Sequence, residues 1–261
     1  MSNPWIKKER PLVIAHRGYS VAAPENTIPA YELAVQVGAD MIESDVNISK
    51  DGILVMTHDW CMGRAVKLEG AVHDHPIDTL RKADAGSWKG KEFKDVHVPT
   101  TEEALAFAKK SGIYMCFEVK GGNPKRANVI AEKLVELFKK FDAFDWAFMS
   151  SYYHDALALA KKAYPQLLLS PERLPDDVEP DIDEALRQVR RLGSETLQIH
   201  HRYLYKDFLQ AMRKADIAMW AWPATTEDEI VKSIKSGADG VMGDDPKLAV
   251  ELVNKLCPAK S

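Results

Sequence analysis

Cysteine is scarce in this chain, with three residues (Cys61, Cys116 and Cys257) in 261, widely spaced and without a CxxC pair. An odd, scattered set excludes a disulfide framework and offers zinc no thiolate cluster, so a reducing compartment is expected. Long apolar runs are also missing: nothing approaches the roughly 18 residues that cross a bilayer. The opening segment MSNPWIKKERPL has no apolar core of the kind a secretory signal needs. A cytoplasmic location without stable membrane insertion is the expectation. Charge of one sign is lacking too, since 35 Lys and Arg face 39 Asp and Glu for a net −4, mixed along the chain. That balance argues against a nucleic-acid partner, which would call for a basic face. Oligomeric state has no signature in the sequence.

What the chain does have is repetition. Helical patterns stop at Gly38, Gly112, Gly193 and Gly237, each soon followed by a short apolar stretch, as expected of glycine just past a helix end. Eight strands are expected at 12–16, 41–46, 114–119, 147–151, 167–171, 197–201, 217–222 and 240–244, with amphipathic helices between them such as 101–110 and 125–141. The pattern predicts an α/β protein, a (β/α)8 TIM barrel formed by residues 1–261 as a single domain, with doubly wound α/β as the alternative. Residues 53–59 follow the turn signal Ser49-Lys50-Asp51-Gly52 and read as a hairpin back onto the second strand, with facing residues summing to about 101 and His58 beside Glu43. Residues 60–98 have turns and little periodicity, and are expected to form a small insertion at the barrel mouth.

The segment IESDVNISKDGILVMTHD raises a question of charge. Glu43 and Asp45 lie two apart in a strand, so they share a face, and bare carboxylates side by side raise each other's pKa unless a cation joins them. The first strand ends in His16-Arg17 and the third in Glu118-Val119-Lys120, which brings His16, Glu43, Asp45, Glu118 and Lys120 to one rim. Three carboxylates outweigh Arg17 and Lys120 by one charge. One divalent cation turns that deficit into a single positive charge, which a phosphodiester cancels. Oxygen ligands favour Mg²⁺ or Ca²⁺ over zinc, Arg and Lys suit phosphate oxygens, and histidines suit proton transfer.

The run AHRGYSVAAPENT…IESDVNISKDGILVMTHD resembles the signature of the glycerophosphodiester phosphodiesterase family, in its HRG, PENT, E-x-D, DG and HD elements. FEVK, WKGKEFKDVHVPTTEEAL and GADGVMGDDP are similar to further family segments, so the likeness covers nearly the whole chain. The resemblance implies a (β/α)8 barrel that hydrolyses glycerophosphodiesters, such as deacylated phospholipids, to glycerol 3-phosphate and an alcohol. It implies a divalent metal on Glu43, Asp45 and Glu118, acid–base catalysis by His16 and His58, and phosphate binding by Arg17 and Lys120. Two segments depart from the family pattern. MWAWPATTEDEI stands where W-x-V-N is common, and GDDP where T-D-x-P is common; neither is expected to touch the metal or histidine positions.

Other readings stay open. A lysophospholipase D-like phosphodiesterase would use the same chemistry on a lipid tail; a glycosidase would use Glu43 and Glu118 alone; a non-catalytic phosphate-binding barrel should have lost at least one of the two histidines or three carboxylates, and all five are present. Glu43 and Asp45 could also simply pair with Arg17 and Lys120. Trp220 and Trp222 share a strand face and could wall a substrate's alkyl part or pack in the core. Gln198 and His200 share a face without motif support, with His201 next to them, and His73, His75 and His97 fall in the insertion and are expected to face solvent. Glu25, Asn26 and Thr27 precede an apolar helix with Pro29 in its first turn, as an N-cap would. Helix 125–141 is expected to be an outer barrel helix rather than a membrane-touching one.

Overall fold

The computed structural model describes residues 3–7 and 9–258. Eight parallel strands form the wall: β1 (Leu12–His16), β2 (Met41–Ile48), β4 (Tyr114–Val119), β5 (Ala147–Ser150), β6 (Leu168–Leu169), β7 (Thr196–His200), β8 (Ala218–Trp222) and β9 (Gly240–Gly243), with the short β3 (Leu54–Met56) antiparallel on β2. The strands run in the order β6-β5-β4-β2-β1-β9-β8-β7. Between β6 and β7 the backbone pairing is an isolated parallel bridge, Glu172 to Gln198, through the Gln198 N–H to Pro171 (2.9 Å) and the Arg173 N–H to Gln198 (3.0 Å), and the Ser194 and Thr196 hydroxyls and the Gln198 amide add side-chain bonds to the Leu169 and Ser170 carbonyls (2.9, 2.8 and 3.1 Å). This is a TIM barrel; the doubly wound alternative fails because β1 pairs with β9 and the sheet curls back on itself.

Each barrel strand is buried on both faces, and β2 shows what that does to sequence. Ile42, Val46 and Ile48 turn outward into the main core with Tyr31, Leu105 and Phe117. Met41 turns inward with Ile14, Cys116, Phe148, Trp220 and Met242. Glu43 and Asp45 continue Met41's face toward the C-terminal end, so the alternation that fills the interior delivers two carboxylates to the mouth.

The helices are α1 (Ile28–Gln36), α2 (Ile77–Leu80), α3 (Thr101–Ser111), α4 (Pro124–Phe141), α5 (His154–Ala163), α6 (Ile182–Leu192), α7 (Lys206–Lys214), α8 (Glu227–Ser236) and α9 (Pro246–Leu256). Gly112, Gly193 and Gly237 end α3, α6 and α8 in the left-handed region, where a side chain would be strained. Helix α4 starts on the Asn123 side chain, which accepts from the Arg126 N–H (3.0 Å), and buries Ala127, Ile130, Ala131, Leu134, Val135 and Phe138 against the wall. Each large member of that stripe stabilises by about 1.5–3 kcal/mol. It is an outer barrel helix, and no helix among the described residues is long and apolar enough to cross a membrane.

Two local expectations need correction, at the hairpin and at the start of α1, and the insertion adds a detail. The hairpin pairs Val46 with Met56 and Ile48 with Leu54, a register one residue longer than expected, and β3 stops at Met56. The insertion has a core of its own, with Met62, Val66, Val72, Leu80, Ala85 and Val98 around Val55. At α1, Thr27 occupies the N-cap without a side-chain bond, its hydroxyl donating to the Pro24 carbonyl instead (2.5 Å).

Candidate active site

Parallel register aligns the rim. β1 sets His16 beside Glu43, and β4 sets Glu118 beside Asp45. Glu43, Asp45 and Glu118 are all buried, and each offers an oxygen within 4.8 Å of the others. Lys120 reaches Glu118 (2.5 Å) and Asp45 (3.2 Å); Arg17 Nε stands 3.2 Å from Asp45 as a charge contact without hydrogen-bond alignment. Asn26, in a left-handed conformation, is not a helix cap. Its Nδ2 donates to Asp45 (2.8 Å), while its Oδ1 accepts from the Ser44 hydroxyl and the Asp45 N–H. Burial pushes the Glu43 carboxyl well up, and its two carboxylate neighbours push it further. Burial also raises Asp45, but Lys120 and Arg17 overcome it and hold that carboxyl far below the usual range. Glu118 is raised by burial despite Lys120. Glu43 Oε1 has no hydrogen-bond partner.

Both histidines are anchored at Nδ1. His16 Nδ1 lies 2.6 Å from Asp244, and His58 Nδ1 lies 2.8 Å from Asp59. An ionised carboxylate only accepts, so each Nδ1 carries a proton and each Nε2 is left out of that bond. His16 Nε2 stands 3.8 Å from Glu43. His58 lies just beyond β3, where the observed register would continue to Ser44 rather than Glu43; its charge bears instead on Asp45 and Glu118. The GDDP segment, expected to be remote from the histidines, supplies His16's partner Asp244. Both departing segments meet in space: a Cβ on Gly243 would lie 2.0 Å from the Ala224 carbonyl.

Around these groups lies a cavity of about 640 Å³. His16, Arg17, Glu43, His58, Glu118 and Lys120 line it, while Asp45 sits beneath. Trp222 lines it as well, but Trp220 is fully buried in the barrel interior and belongs to the core. Gln198 reaches the cavity; His200 and His201 do not, pairing with each other and, for His201, with Glu229 (3.5 Å). His97 is exposed and His73 and His75 are half-buried, all away from the cavity. Four contributors carried no sequence signal strong enough to single them out: Asp244, Arg64, Tyr152 and Glu172. Arg64, from the insertion, bridges Asp59 (2.8 Å) and Glu25 (2.7 and 2.6 Å), and Glu25 in turn holds Arg17 (3.0 Å).

A TIM barrel with this family of residues at its C-terminal rim falls in the class of phosphoric diester hydrolases. The sequence profile of the glycerophosphoryl diester phosphodiesterase family matches residues 16–248, and the chain belongs to that family. It is 32% identical over 244 residues to a glycerophosphodiester phosphodiesterase of Caldanaerobacter subterraneus, covering 94% of this chain and 98% of the relative. A Bacillus altitudinis glycerophosphodiester phosphodiesterase is 30% identical, with 94% and 98% covered. Among solved structures, an Oleispira antarctica phosphodiesterase in complex with the product sn-glycerol-3-phosphate superposes with a TM-score of 0.85 at 28% identity, over 94% of this chain and 97% of that one.

Proposed function

We propose that this protein hydrolyses small glycerophosphodiesters to glycerol 3-phosphate and an alcohol, using a divalent cation, with His16 and His58 as the acid–base pair. The carrying observation is the pair of Nδ1-anchored imidazoles in the cavity that Glu43 and Glu118 line. Family membership and the product bound to the Oleispira relative agree with this substrate class.

The oxygen-only donor set and the unpartnered Glu43 Oε1 fit a hard cation held by Glu43, Asp45 and Glu118. Such an ion, Mg²⁺ or Ca²⁺, supplies Lewis acidity toward a phosphoryl oxygen and offsets the carboxylates' charge. Arg17 and Lys120 bind and orient the phosphodiester. One imidazole, neutral, takes the nucleophile's proton at its Nε2, and the other, as an imidazolium, gives its Nε2 proton to the departing alkoxide, with Asp244 and Asp59 orienting the two rings through Nδ1. Trp222 walls the cavity beside Tyr152.

The test is release of glycerol 3-phosphate from a panel of glycerophosphodiesters and their acylated counterparts, with EDTA and add-back of Mg²⁺ or Ca²⁺. Release that EDTA stops and either ion restores is the expected result. No glycerol 3-phosphate from any diester would overturn the reading.

A further inference from the structure

Glu172 has no part in the chemistry above, yet it is a carboxylate on the cavity wall with only 3% of its surface exposed. Its Oε1 has no hydrogen-bond partner, and among the described residues no cation comes within salt-bridge distance of it. It is not one of the three carboxylates that converge on a common point. A buried, orphaned acceptor is expensive to keep unless a ligand satisfies it. Tyr152, on the same wall, sits against it and brings a phenol hydroxyl that can donate.

The wall thus offers an acceptor and a donor next to each other. An alcohol hydroxyl, which both donates and accepts, complements the pair; an ammonium only donates. Position along the cavity selects which half of a diester meets them. The β6–β7 side is enclosed, with Glu172 and Gln198 both 3% exposed, whereas the opposite side is bounded by the insertion's Trp88 (38%) and the half-exposed Arg64 side chain. The invariant half of a glycerophosphodiester suits the closed end, and the variable alcohol suits the open one.

We propose that Glu172 and Tyr152 form a hydroxyl-binding subsite that takes the free terminal hydroxyl of the substrate's glycerol half and so selects glycerol esters. This rests on the phosphodiesterase reading above. It is tested with two substrates sharing one leaving group: the glycerol ester and the 2-hydroxypropyl ester of 4-nitrophenyl phosphate, which differ only in the terminal hydroxyl. The wild type is expected to prefer the glycerol ester in kcat/KM by about 10- to 100-fold, the range one hydrogen bond to a charged or buried partner spans. Glu172→Leu should bring that preference close to one, and Tyr152→Phe, which removes the hydroxyl and keeps the ring, should lower it by a smaller factor. Full preference retained in both variants overturns the subsite. A wild type that cuts neither ester defeats the underlying phosphodiesterase reading instead, so the two failures are distinct.

Discussion

His16 and His58 are held alike, each by a carboxylate at Nδ1, although His16 ends a parallel neighbour of β2 and His58 follows its antiparallel hairpin partner. Replacing either by alanine should lower kcat by about 10²- to 10⁴-fold, with metal affinity by calorimetry unchanged; near-wild-type turnover would remove that residue from the mechanism. Asp244→Asn should lower kcat by about 100-fold or more, because an amide can present its N–H₂ to the ring and favour the wrong tautomer. Steady-state kinetics beside a metal titration separates this from a folding defect. Of these groups, Glu43, Asp45 and Glu118 were legible because strand parity puts them on one face. Asp244 was hidden because it follows β9, at the far end of the chain from His16. Glu172 was hidden because β6 is two residues long and has no alternation to read.

At the scale of elements, the eight strands and the glycine helix ends were visible from periodicity, while pairing register and the insertion's internal packing depend on distant contacts that local pattern does not encode. Trp220 shows the limit: its parity with Trp222 was readable, but its depth in the barrel was not. Helix α8 gives an element-level prediction. Its capping box uses Glu229, which accepts from the Thr225 and Thr226 N–H groups, and these backbone bonds lower its pKa to about 2. A depressed carboxylate contributes stability above its ordinary pKa and loses it as pH falls through the folded value. Glu229→Gln should therefore melt below wild type at neutral pH, and the gap should close as pH drops from the ordinary glutamate range toward 2. A gap independent of pH, followed by thermal denaturation, would show that the charge is not what matters there.

For the whole molecule, the acidic rim concentrates buried negative charge, since Glu43, Asp45 and Glu118 lie together with one oxygen of Glu43 left without a hydrogen-bond partner. A cation that binds only the folded chain at about 100 times its Kd adds about 2.7 kcal/mol. Mg²⁺ or Ca²⁺ should thus raise the melting temperature by several degrees, and EDTA should reverse it; an unchanged melt at millimolar ion would argue against a site there. The wall itself has an uneven circumference. Seven of its borders are ladders of paired strands, while the eighth has a single backbone bridge, Glu172–Gln198, and otherwise side-chain bonds to the Leu169 and Ser170 carbonyls. That border is the thinnest backbone seam of the cylinder, stitched mainly by side chains, so the amides of Arg173 and Gln198 should exchange with deuterium ahead of the amides paired within the seven ladders.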